Sequence, residues 1–206
     1  MRLLPLLSLL LGTPVLAGEP AAGAQPGRRY ETWLSPLQEG GEESETPKLL
    51  QASLGSTAPS TPRAQRGSRG WGELQFSRDL SRATVDVRIE GVKPEDIVMF
   101  HIHCGPPGVL GPIVVDFGTF GSFDKTFVGG RFQAELTYAN LLTASGHAGH
   151  SVKLPEGCPV EIGFPDQVTT IGALDYVARK GVLYFNLHTK AHTYFGEMRG
   201  ALVLAE

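Results

Sequence analysis

From Trp71 onward the chain alternates apolar and polar side chains in short runs. Leu74 and Phe76, then Val85, Val87 and Ile89, place an apolar group at every second position, with Gln75, Asp86 and Arg88 between them. That period predicts strands with one buried face. Glu90 to Asp96 supplies a turn, and Ile97 to Cys104 resumes the strand. A Gly/Pro cluster from Gly105 to Pro112 leads into Ile113 to Phe117. Further strands are predicted at Arg131 to Leu136, briefly at Pro159 to Gly163, at Val182 to His188 and at Gly196 to Leu204. One helix stands out at Thr170 to Arg179, where Ile171, Leu174 and Val177 share a face and Gly181 can end the helix. So many short strands between turn signals predict an all-β, antiparallel Greek-key sandwich or barrel with one short helix.

The N-terminal third has a different texture. Met1-Arg2 precedes an apolar run from Leu3 to Leu11, and the small residues Val15 and Ala17 suit cleavage after Ala17. Residues 1–17 therefore read as a secretory signal peptide, too short to favour a retained membrane anchor. Residues 18–70 hold 8 Gly, 6 Pro, 6 acidic and 6 basic side chains, with few large apolar groups. Such a stretch cannot bury enough apolar surface to offset its ordering entropy and reads as a mostly disordered leader or linker, relieved by a short amphipathic turn around Tyr30, Trp33, Leu34 and Leu37 and by Lys48 to Leu54. The folded domain is then expected at 71–206. Over the whole chain, 18 basic and 21 acidic side chains give a charge of −3. No basic field is present for nucleic acid, and no apolar run after the first could anchor the chain in a membrane.

Two segments carry more than periodicity. Phe100-His101-Ile102-His103-Cys104-Gly105-Pro106-Pro107-Gly108 has paired histidines followed by a Gly/Pro loop. Later stand Tyr184-Phe185-Asn186-Leu187-His188-Thr189 and Gly196-Glu197-Met198-Arg199-Gly200. Together they resemble the CHRD domain, the module named for chordin and also found singly in secreted bacterial proteins, over about Trp71 to Leu204. The resemblance implies a fold similar to the Greek-key barrel of Cu/Zn superoxide dismutase. Chordin is understood to carry several copies beside cysteine-rich modules, so its growth-factor role does not transfer to a chain with one.

Strand alternation can be applied to the histidines independently. His101 and His103 share one face of their strand, with Phe100 and Ile102 on the other, and Tyr184, Asn186 and His188 lie opposite the apolar Leu183, Phe185 and Leu187. If the apolar faces fill the interior, all three histidines sit outside it, where loops can cover them. Imidazoles so placed are natural ligands for copper or zinc, or else structural hydrogen-bonding groups. The dismutase barrel likewise places its copper on an outer face by a His-x-His strand. Its further histidines and aspartate have no counterpart in the loop Gly105 to Pro112; His147 and His150 come much later, and His192 reads as an exposed turn residue.

Glu197 and Arg199 alternate in the last predicted strand and suit a structural charge pair. No catalytic residue is assigned, since no nucleophile elbow, phosphate-cradling loop or zinc-protease helix occurs. Export favours a disulfide between Cys104 and Cys158, the only cysteines, over a thiolate ligand at Cys104. The chain thus reads as a secreted or periplasmic, non-catalytic binding or structural module for an extracellular protein or a matrix or envelope component. The alternative is a copper- or zinc-binding protein, with redox chemistry of the dismutase kind.

Overall fold

The computed structural model describes residues 26–139, 141 and 168–206. Among these described residues nine strands make two sheets: β1 (Pro26–Leu34), β2 (Arg69–Ser77), β3 (Arg82–Glu90), β4 (Ile97–Cys104), β5 (Ile113–Asp116), β6 (Arg131–Thr137), β7 (Leu183–Thr189), β8 (Met198–Ala201) and β9 (Val203–Leu204). A five-stranded sheet runs β6-β3-β2-β1-β9 and a four-stranded sheet β5-β4-β7-β8. All pairings are antiparallel. The chain leaves the first sheet after β3, builds β4 and β5 in the second, and returns with β6 beside β3, which makes the Greek-key crossing.

The inward faces meet in an aromatic core. Phe100 of β4 packs against Phe117, Phe132 and Phe185 with ring centroids 4.8, 5.3 and 5.6 Å away. Leu74, Phe76, Val85, Val87, Ile102, Leu183 and Leu187 complete the layer. The helix Ile171–Ala178 is capped by the Thr170 hydroxyl, which accepts from the Ala173 amide, and Gly181 at φ +69 turns the chain into β7.

The N-terminal segment departs from expectation. Residues 26–70 are not a leader: β1 is an internal strand of the first sheet, flanked by β2 and β9. Tyr30 and Leu34 point inward from it and Glu31 and Trp33 outward, a period of two rather than an amphipathic turn. Beyond Leu34 the chain crosses to the other sheet, where Ser35 bridges Arg199 on the free edge of β8. Residues 36–68 then form a strap along β8, Asn186 of β7 and the 190–197 loop. The strap is held by polar anchors, which an argument from apolar surface does not count. Arg63 pairs with Glu42 at 3.0 Å, Arg66 donates to the carbonyls of Gly196 and Glu197, and the amides of Thr57 and Ala58 donate to the carbonyl of Lys190. All seven residues of β7 are buried, Leu183, Phe185 and Leu187 in the core and Tyr184, Asn186, His188 and Thr189 among polar groups of the strap and loops. The signal segment, His147, His150, Cys158 and the strand expected at Pro159 to Gly163 lie outside the described residues.

Candidate metal centre

Antiparallel register brings the three histidines together. Across β4 and β7, Met99 faces His188, His101 faces Asn186 and His103 faces Tyr184, so His188 lies diagonal to His101 on the same outer face. One ring nitrogen of each of His101, His103 and His188 falls within 4.8 Å of the other two. All three rings are buried, with His188 at 4% exposure.

The outer nitrogens define the tautomers. His103 Nδ1 donates to the Gly111 carbonyl at 2.9 Å and His188 Nδ1 to the Thr193 carbonyl at 3.0 Å, because a carbonyl only accepts. His101 Nε2 faces a carboxylate oxygen of Asp116 at 3.5 Å. The inner nitrogens of His103 and His188, both Nε2, then present lone pairs, and His101 turns its Nδ1 toward His103. His103 Nε2 and His101 Nδ1 stand 3.2 Å apart, and His188 Nε2 is buried with no hydrogen-bond partner. Ring nitrogens grouped in this way could hold a metal ion. Burial, reinforced by the neighbouring His101, brings His188 down to about 3 and holds His103 well below the usual histidine range. Both imidazoles are therefore neutral at physiological pH and available as ligands.

The supporting groups are themselves fixed. The Tyr184 ring stacks on His103 with centroids 5.1 Å apart, and its hydroxyl accepts from the Gly111 amide at 2.9 Å. The Arg199 guanidinium lies 3.4 Å from the Tyr184 centroid and donates to the carbonyls of Pro106 and Val109. Together they hold the Gly105 to Pro112 loop over His103, to which it supplies the Gly111 carbonyl.

Other expected roles are revised. Glu197 and Arg199 do not form an ion pair among the described residues. Glu197 lies just before β8 and turns toward the strap, where it accepts from Ser68 at 2.5 Å and from His192, while Arg199 turns toward the Pro106 loop. His192 is buried rather than exposed, held by Glu197 and by the Thr61 amide at 3.0 Å. Cys104, at the end of β4, is buried and is not a free thiol.

Sequence reasoning missed the strap carboxylates. Glu39 is buried with both oxygens unpartnered beside Asn186, and a Cβ at Gly196 would collide with Asn186 Oδ1 and Glu39 Oε1. Gly196, at φ +110, is required there on both counts. Glu43 gathers the amides of the 193–195 loop. The only available signal was an acidic cluster, Glu42-Glu43-Ser44-Glu45, in a stretch otherwise read as solvated.

The comparison of families finds that the CHRD domain matches residues 50–202 of this two-sheet antiparallel β-sandwich. The chain belongs to the CHRD family, whose domains occur in extracellular and secreted proteins. No curated protein and no solved structure is similar enough to count as a match. Among the described residues no helix is long and apolar enough to cross a membrane.

Proposed function

We propose that this chain is an exported, non-catalytic CHRD module that holds one copper or zinc ion at His101, His103 and His188 and presents its surface to an extracellular protein or matrix component. The observation that carries the metal reading is the unpartnered, buried Nε2 of His188 facing the inner nitrogens of His101 and His103. A neutral imidazole set suits copper and zinc, with copper the tighter by the usual order of divalent affinities. Bound metal would supply positive charge to join β4 and β7 on their outer face. Burial of all three ligands supports a structural role over turnover of a substrate. Export would follow cleavage of residues 1–17 after Ala17 and would permit a Cys104–Cys158 disulfide.

Protein purified without affinity histidines and dialysed against copper or zinc should retain about one metal per chain by elemental analysis, as expected for one three-histidine set. The double variant His101→Ala, His103→Ala should retain none. A wild-type protein that stays metal-free, with an unchanged thermal midpoint in either metal, would overturn the reading. Mass spectrometry of the non-reduced exported protein tests both the mature N-terminus and the disulfide.

A further inference from the structure

Glu43 belongs to the strap, before the residues matched to the family, and its carboxylate is buried. Its Oε1 accepts from the backbone amides of Thr193 and Tyr194, each at 3.0 Å, and from the Ser56 hydroxyl at 2.6 Å. Its Oε2 accepts from the Phe195 amide at 3.1 Å and the Tyr194 amide at 3.2 Å. Three successive amides thus converge on one carboxylate, a concave anion site that the chain fills from within.

The Tyr194 amide and the Thr193 carbonyl belong to the same peptide unit. That unit is planar and trans, so its N–H and C=O point in opposite directions. With the N–H directed at Glu43, the carbonyl oxygen is directed the other way, at His188 Nδ1, 3.0 Å distant. The continuous path is carboxylate, amide N–H, carbonyl, imidazole N–H. An anion at one end polarises the peptide and strengthens its carbonyl as an acceptor, because hydrogen bonds in series reinforce one another. A metal-binding histidine often has a carboxylate on its outer nitrogen, which fixes the ring and raises its basicity. Here one peptide unit stands between the two.

We propose that Glu43 is a positioning residue for His188, acting through the Thr193–Tyr194 peptide to hold the ring with Nε2 inward and to raise its strength as a metal donor. The proposal rests on the metal reading above and deepens it. The strap is then part of the site, and the functional unit extends N-terminal to the residues that define the family match.

Full-length protein is titrated with Cu²⁺ against a competing chelator, as wild type, Glu43→Gln, Glu43→Asp and Glu45→Gln. Glu45 accepts from the Glu42 amide in the same turn, whereas the 193–195 amides go to Glu43, so the Glu45 variant controls for damage to the strap. Glu43→Gln is expected to weaken Cu²⁺ binding about 10- to 100-fold, the usual effect of losing an outer partner of a ligand. Glu43→Asp, which keeps the charge on a shorter side chain, should fall between wild type and Gln, and Glu45→Gln should match wild type. In metal-free, ¹⁵N-histidine-labelled protein, the Nδ1–H signal of His188 should move upfield in Glu43→Gln as its hydrogen bond weakens. Cu²⁺ affinities within twofold of wild type for both Glu43 variants, with an unmoved Nδ1–H signal, would overturn the proposal. Failure of the wild type to bind Cu²⁺ would overturn the metal reading instead, and the Nδ1–H shift would still decide whether Glu43 acts on His188. If Glu43→Gln does not fold, Glu43→Asp against Glu45→Gln supplies the same comparison.

Discussion

The two outer faces of the sandwich are both polar, and strand alternation draws them alike, yet the fold treats them oppositely. On the five-stranded sheet, Glu31, Glu73, Asp86, Arg88, Arg131, Gln133 and Glu135 lie at least partly in solvent, with charge pairs such as Arg131 with Asp86 and Arg29 with Glu73. On the four-stranded sheet, His101, His103, Tyr184, Asn186, His188 and Arg199 are buried beneath the strap and two loops. An exposed polar face costs nothing to keep, because water satisfies it. A buried one is destabilising unless every donor and acceptor finds a partner. Most do here: Arg199 finds two carbonyls, His103 the Gly111 carbonyl and Glu197 the Ser68 hydroxyl. The inner nitrogen of His188 does not, nor do Asn186 Oδ1 and the two oxygens of Glu39, and of these the His188 nitrogen is the one grouped with His101 and His103.

The largest difference between the faces should come from their arginines. Arg199→Met strips the Pro106 and Val109 carbonyls of their donors and removes the cation over Tyr184, and should cost roughly 2–4 kcal/mol in urea unfolding. Next comes the metal. Copper at about one hundred times its dissociation constant should add ~2.7 kcal/mol to wild type. That raises the thermal midpoint by roughly 5–10 °C for a chain of this size. His103→Gln should show no rise.

Glu39 gives the pH dependence. Burial pushes its carboxyl well above the ordinary range against the pull of Arg199 and Arg66. Above about pH 4.5 the unfolded chain ionises this group while the fold keeps it neutral, so its contribution is complete at low pH and declines as pH rises toward the folded-state value. Glu39→Gln removes that loss. The variant should equal wild type at pH 4 and exceed it by about 1 kcal/mol or more at pH 7 in urea unfolding. A variant less stable than wild type at pH 7 would mean that Glu39 is ionised and serves Arg66 or Arg199. The smallest effect belongs to the open face, where Arg131→Met, for all its contact with Asp86, should cost under about 1 kcal/mol. A loss as large as that of Arg199→Met would erase the distinction between the faces.

The strands β2 to β7 and the helix Ile171–Ala178 were legible because their apolar residues recur with clear periods, and the same alternation placed His101, His103 and His188 on one side of the sheet. Strand β1 was hidden because Tyr30 and Leu34 are its only large inward apolar groups, within a stretch dominated by Gly, Pro and charge. The strap was illegible for a deeper reason: Glu42, Glu43, Arg63 and Arg66 are bound by partners more than twenty residues away or by backbone groups, which leave no periodic trace. His192 misled for the same reason, since its partners Glu197 and Thr61 come from two separate loops. Glu197 and Arg199 show the limit of alternation at a strand end, where the chain turns just before β8 and the two side chains take separate partners.

Electron paramagnetic resonance of the Cu²⁺-loaded, full-length protein tests the buried histidine set most directly. The account predicts one copper species whose nitrogen superhyperfine splitting is simplified by substitution of His101, His103 or His188 and unaffected by substitution of His147 or His150. A spectrum without nitrogen splitting, or one that changes only when His147 or His150 is replaced, would contradict it.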